Sequence, residues 1–179
     1  MLSIPAVVNP NFDSTGANCG QGQAGNVWFL AGTFGGDPVT RSCTIPAGKG
    51  ILIPVINTIV FANLPTDTIE GLRTGAVADI DRVITMRVTI DGFPLKDLQD
   101  LRVQSPVFAF TIPKTLFDYD ALCSPLVPPG DVQICPLAVS DGYWVLLLPL
   151  RKGPHVIKFY AKKSDGFVVD VTYNLTIGP

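Results

Sequence analysis

The sequence predicts a mainly all-β fold: a two-sheet antiparallel β-sandwich, jelly-roll or immunoglobulin-like, with one covering α-helix near residues 67–83. Three observations lead there. Short runs of β-branched and aromatic residues alternate with polar ones along most of the chain, the two-residue period of strands with one wet face. Turn signals such as Asp91-Gly92 separate those runs. One segment alone carries the three-and-four spacing of a helix.

Taken in order, residues 1–25 are rich in Gly, Asn, Pro and Gln and read as an irregular N-terminal arm; the β-sandwich domain is expected over 26–179. Ile51–Ile56 and Tyr143–Leu148 are nearly continuous apolar runs, which predicts strands covered on both faces. The helix over Asp67–Val83 would supply that cover through Ile69, Leu72, Ala76, Ile80 and Val83. Asp67 with Glu70 three residues on resembles a capping box. In the next segment Ile84, Met86, Val88 and Ile90 alternate with Thr85, Arg87, Thr89 and Asp91. Ser105-Pro106 interrupts the alternation over Leu101–Ile112, so a bulge or an edge is expected there. Pro113–Leu137 reads as loop. The clearest hairpin joins Val156–Lys162 to Phe167–Ile177 through Lys163-Ser164-Asp165-Gly166. Eight or nine strands result, with no internal repeat.

Composition narrows the function classes. With 47% hydrophobic and 16% charged residues, the chain has the opposite of a disordered composition. Its net charge of −2 and scattered Lys and Arg give no basic stripe for nucleic acid. The longest apolar stretch, Ile51–Ala62, is interrupted by Pro54 and Asn57, too short for a transmembrane helix of about 20 residues. No basic-then-apolar leader is visible; if the protein is exported, the chain is expected to be its mature form. Cys19, Cys43, Cys123 and Cys135 allow three pairings. The sequence-local one, Cys19–Cys43 with Cys123–Cys135, is expected, and disulfides imply an oxidising compartment.

Few motifs carry chemistry. Gly20, Gly22 and Gly25 match GxGxxG literally, but an irregular arm precedes them and a strand follows, against the order a dinucleotide site needs. The one histidine, His155, follows Pro154 with no nucleophile elbow in the chain. It is read as a surface or turn residue. Carboxylates are the remaining route. Asp118, Tyr119, Asp120, Asp131 and Asp141 form the candidate ligand or calcium loop, and a calcium ion is the one cofactor weighed. The bland alternative is that Asp serves turns, as Asp-Gly at 91–92, 141–142 and 165–166 suggests. Trp28 and Trp144 are assigned to the core, and Tyr160 to an outward strand face where a sugar ring could stack. Asn174-Leu175-Thr176 is a glycosylation sequon. Asn57, Arg102 and Gln104 interrupt apolar strands and are assigned to serving backbone groups.

The segments VWFLAG (27–32), RSCTIPAGKG (41–50), PVIN (54–57), RVQSP (102–106), DGYWVLLLPL (141–150) and DVTYNLT (170–176) together resemble a family of secreted microbial β-rich proteins to which no activity is attached. The resemblance implies export and a β-rich fold and brings no catalytic residues. Leu148–Phe159 also looks like the penultimate hairpin of immunoglobulin-like modules. The expected function is that of a secreted or cell-surface, non-enzymatic module acting through its surface. It would be structural and self-assembling, a homo-oligomer in which the arm pairs with a neighbour's sheet edge. The alternative is a polysaccharide-binding module stabilised by calcium, and the third a glycoside hydrolase using loop Asp residues.

Overall fold

The computed structural model describes residues 2–113 and 132–178. Among them ten strands and one α-helix follow in the order β1 (Val27–Phe29), β2 (Val39–Pro46), β3 (Gly50–Phe61), α1 (Ile69–Ile80), β4 (Val83–Ile90), β5 (Phe93–Pro94), β6 (Arg102–Gln104), β7 (Phe108–Pro113), β8 (Val132–Leu147), β9 (Gly153–Lys163) and β10 (Val168–Gly178). Strands dominate, as the period-two patterning predicts.

The strands form two five-stranded sheets. The first runs β1-β3-β8-β6, with β7 also paired to β8; the second runs β2-β10-β9-β4-β5. Most pairs are antiparallel, but β1 lies parallel to β3 and β2 parallel to β10, so both sheets are mixed. Alternation cannot reveal this, because side chains alternate between faces identically in either orientation. One main cluster of buried side chains draws Trp28, Ile51, Ile53 and Val145 from the first sheet and Ile45, Val88, Phe159 and Tyr173 from the second. Each fully buried aliphatic or aromatic side chain there contributes on the order of 1.5–3 kcal/mol.

The β9–β10 hairpin forms as read, with Val168 opposite Lys162 and Ile177 opposite Gly153. Ile157, Phe159 and Ala161 stand opposite Tyr173, Val171 and Val169 in the core. In β4 the pattern breaks once. A bulge between Val83 and Thr85 turns Ile84 outward, 61% exposed, because an extra residue on one strand reverses the alternation that follows it. Asp91 and Gly92 both have positive φ, 52° and 84°, the two-residue turn whose twist matches antiparallel strands. The interruption at Ser105-Pro106 separates β6 from β7, both of which pair with β8.

Three expectations are corrected. First, the helix starts later, capped by Thr68 Oγ1 accepting from Gly71 N at 3.1 Å. Asp67 instead closes the preceding turn, its Oδ2 accepting from Asn63 N and Leu64 N, and Ile69 is 44% exposed. Second, β8 extends through 132–137, expected to be loop, and Asp141-Gly142 lies inside it rather than in a turn. Third, α1 does not cover the outer side of the apolar runs. Leu72 and Ala76 pack with Ala62 and Val139, Ile80 is buried further along the helix, and Gly75 faces Val60. Val60 and Val139 are register partners, and so, one pair along the same face, are Thr58 and Asp141. The helix thus sits on the core side, beside the second sheet.

The arm lies along its own chain. Ser42 N donates to Thr15 O at 2.8 Å beside β2, and Cys19 is bonded to Cys43, the first predicted disulfide. Arg41, 1% exposed, donates to Asp13 O, Ala31 O and Gly32 O at 2.6, 2.6 and 2.9 Å and to Tyr173 Oη at 3.0 Å. Further along, Leu2 and Ala6 pack against Ile112, Cys135 and Phe110. The pairing of Cys135 with Cys123 lies outside the described residues, since Cys123 does.

Candidate functional site

Two polar clusters and two open sheet faces hold the residues that matter. The first cluster sits where α1, β6 and β8 meet. Arg102 grips Asp141 with two bonds, Nε to Oδ1 at 3.1 Å and Nη2 to Oδ2 at 2.9 Å. It also reaches Asp81 Oδ1 at 2.6 Å and Val77 O at 3.1 Å. Hydrogen bonding to Asp141, ahead of a smaller opposing effect of burial, raises the Arg102 pKa further above its already high value. Asp141, a member of the candidate ligand loop, is thus a strand residue whose 2% exposed side chain is committed to a guanidinium. Gln104 exchanges bonds with Arg73, accepting at Oε1 and donating to Arg73 O at 3.3 Å. Arg102 and Gln104 therefore tie the helix to β6 and β8.

The second cluster holds the same C-terminal end of α1 from the side of β4 and β9. Lys163 and Arg82 both pair with Asp79, and Arg82 also meets Asp165 at 2.7 Å. Burial pushes the Asp79 pKa up, but the bonds from Lys163, Arg82 and Thr58 outweigh it and leave the pKa lowered. In the arm, Asp13 accepts from Thr15 N, Thr15 Oγ1 and Asn18 N at 2.7–2.8 Å. Burial again opposes, yet these bonds hold its pKa at about 2. Both clusters pin one element against another.

His155 is held on two sides, Nδ1 at 2.7 Å from Asp91 Oδ2 and Nε2 at 2.8 Å from Arg151 O. A carbonyl can only accept, so Nε2 carries a proton, and the carboxylate favours one on Nδ1 as well. The bond to Asp91, working against burial, raises the His155 pKa. With both nitrogens engaged, the imidazole staples the β4–β5 turn to β9 and has no free lone pair for catalysis.

The outer face of the first sheet is apolar. Phe29, Leu52 and Leu146 form one row across β1, β3 and β8, and Pro54 with Trp144 forms the next. Phe29 is 42% exposed, Leu146 62% and Leu148, just past the strand end, 85%. Trp144, expected in the core, is only half-buried here, because even-numbered residues of this part of β8 point away from the second sheet. Trp28 does lie in the core. Asn57 is exposed on this same face, over Gly142. A Cβ on Gly142 would sit 2.5 Å from both Asn57 Cβ and Ile56 O, so only glycine lets the strands pair there. No charged side chain occupies these rows.

The outer face of the second sheet is polar. Asp170, Tyr160 and Arg87 stand abreast on β10, β9 and β4, with Thr172, Lys158 and Thr89 in the next row and Lys162 beside Thr85 in the preceding one. A shallow hollow of about 450 Å³ opens over Tyr160 between Arg87, Thr89, Lys158 and Asp170. A second, of about 370 Å³, lies over Ser42, Thr44, His155, Asn174 and Thr176. Asn174, the sequon residue, is exposed between Ser42 and Val156. Asp118, Tyr119, Asp120 and Asp131 lie outside the described residues. Among the described residues no group of three or more His, Cys, Asp or Glu is placed to hold a metal ion, and no helix is long and apolar enough to cross a membrane.

Comparison with protein-family models, curated proteins and solved structures found no match in any of the three. Tyr160 was legible in sequence as an outward aromatic. Its neighbours Arg87 and Asp170, 73 and 10 residues away in the chain, were not, because a three-strand register brings them together.

Proposed function

We propose that this chain is a secreted, non-enzymatic β-sandwich module that associates with copies of itself through the outer face of its first sheet. The observation that carries the reading is the charge-free apolar surface of Phe29, Leu52, Trp144, Leu146 and Leu148. Soluble monomers rarely expose contiguous apolar surface on this pattern, and such patches mark association sites. Two such faces related by a twofold axis meet without stranding a charge, the self-complementarity an isologous interface requires. The arm is tied along β2 of its own chain by Arg41 and the Cys19–Cys43 bond, which favours association through the face over pairing through the arm. The disulfide also supports an extracellular setting.

The test is light scattering of the oxidised protein over a concentration series, beside Leu146→Lys and Leu148→Lys. Closed oligomers are expected, with association weakened at least tenfold in either variant while far-ultraviolet circular dichroism is unchanged. A strict monomer at every soluble concentration would overturn the reading, as would oligomers indifferent to both lysines.

A further inference from the structure

We infer that the opposite face, centred on Tyr160 of β9, is a binding site for acidic polysaccharide, with uronate sugars as the ligand class. It shares no residue with the apolar face and does not depend on self-association.

The arrangement begins with register. Asp170, Tyr160 and Arg87 occupy equivalent positions on three adjacent strands, so their side chains leave the sheet side by side, about 4.8 Å apart from strand to strand. The Arg87 guanidinium lies 6.0 Å from the Tyr160 ring centroid. Lys158 and Lys162 flank Tyr160 at the two next outward positions of β9. Three cations and one carboxylate thus surround one aromatic ring, on a chain whose overall charge is −2. Unlike Arg82, Arg102 and Lys163, which are spent on ion pairs, Arg87, Lys158, Lys162 and Asp170 make none among the described residues, so their charges are open to a ligand. The hollow over the ring is open and lined by Arg87, Thr89, Lys158 and Asp170, with Lys162 outside it.

The chemistry of the lining selects the ligand. A tyrosine ring offers an apolar, polarisable face on which the C–H face of a pyranose can stack. Arg87 presents a planar fork of donors that matches a carboxylate, and Lys158 adds a point charge beside it. Asp170, on the other side of the ring, accepts from hydroxyls and disfavours a second anion there. Thr89 and Thr172 add hydroxyl partners in the adjacent row. A sugar bearing one carboxylate and several hydroxyls satisfies every group. An anionic membrane would bring negative charge against Asp170 and offer the ring nothing to stack on, and a row of nucleic-acid phosphates would find no basic stripe along this chain. The site is shallow and on a flat sheet, which suits a polymer lying across strands.

The experiment is calorimetric titration of the oxidised full chain with sodium polygalacturonate, alginate and hyaluronate, in low salt and again at 0.5 M salt on the order of the screening regime. Fully methyl-esterified polygalacturonan, dextran, polyphosphate and phosphatidylserine vesicles serve as comparison ligands. Tyr160→Ala, Arg87→Gln and Asp170→Asn are tested alongside, each with its thermal unfolding checked. Binding to at least one polyuronate is expected, weakened at least tenfold by esterification, by Tyr160→Ala and by Arg87→Gln. Asp170→Asn should reduce the preference for the polyuronate over polyphosphate. Tyr160→Phe, which keeps the ring, should bind within about threefold of the parent and so separates stacking from a folding defect. The inference is overturned by failure to bind all three polyuronates, by equal affinity for the esterified chain, by variants that bind as the parent does, or by stronger binding to polyphosphate or vesicles.

Discussion

At the residue scale, the fold is held at a few positions where a charge meets backbone rather than an opposite charge. Arg41 is the clearest. Its guanidinium is buried, and all its close partners are neutral: three carbonyls within 2.9 Å and the Tyr173 hydroxyl. A guanidinium is the side chain suited to this, since five donors in a fixed fork can serve carbonyls from separate segments at once. Those carbonyls belong to the arm and to the segment after β1, so a single side chain organises both. Burial also raises the Tyr173 pKa, with Arg41 opposing it. Arg41→Met keeps the length and removes the donors, leaving buried acceptors unpaired at roughly 1–3 kcal/mol each. A loss of about 3 kcal/mol in unfolding free energy is expected, read as a lower midpoint in guanidinium chloride at unchanged slope. Arg41→Lys should recover part of it. A change below 0.5 kcal/mol in Arg41→Met would show that water replaces the fork without cost.

At the element scale, the turn between β4 and β5 depends on an ionisable staple. Asp91 Oδ1 accepts from Val156 N at 2.7 Å and Oδ2 faces His155 Nδ1. The His155 pKa is raised, chiefly by its bond to Asp91. That of Asp91 is lowered because the His155 and Val156 bonds together outweigh its burial. A raised histidine contributes fully below its unfolded pKa of about 6.5 and loses its contribution as pH rises through the folded value. A lowered aspartate contributes fully above about 3.9 and loses it as pH falls through the folded value. The staple is therefore strongest between those limits. Asp91 is 41% exposed, so screening holds the effect to about 0.5–1 kcal/mol. Stability of the parent measured from pH 5 to 9 should decline relative to His155→Asn above about pH 6.5, and parallel curves would dismiss the staple. What the sequence discloses at this scale is uneven for a physical reason. The β9–β10 hairpin, the Asp91-Gly92 turn and the Cys19–Cys43 bond are local or carry periodicity, and all are legible. The parallel pairings of β1 and β2, the burial of Asp141 against Arg102 and the outward turn of Ile84 depend on contacts or bulges that side-chain alternation does not encode. The apolar run at Tyr143–Leu148 misleads in a more useful way. Read as doubly buried, it has one open face, and the excess apolarity belongs to a surface.

At the scale of the whole molecule, the question is which free edges and faces the fold leaves for others. A sheet of this kind has two kinds of adhesive surface, the apolar face and the unpaired backbone of an edge strand. The edge at β2 is covered at its middle by the arm. Thr15 O takes the Ser42 N–H, and Gly16 lies so close that a Cβ there would fall 2.2 Å from Ser42 O. Gly16 also has φ of 93°, a conformation that costs an L side chain energy but is open to glycine. The Cys19–Cys43 bond, joining residues 24 apart in sequence, holds the arm in that place. Removing it by Cys19→Ser with Cys43→Ser should lower stability by about 3 kcal/mol, the scale for a loop of this length. It should also uncover β2, whose eight residues form a long strand edge of the sort that templates open-ended pairing. The double variant is thus expected to form growing, thioflavin-positive aggregates near its unfolding midpoint, where the parent forms none. Leu146→Lys should not suppress them, because it alters a face on the other sheet. If the aggregates appear and ignore Leu146→Lys, edge and face are separate surfaces, and the arm acts to leave association to the face alone. If the double variant loses less than 0.5 kcal/mol and stays soluble, Arg41 and the Asp13 turn hold the arm without the disulfide.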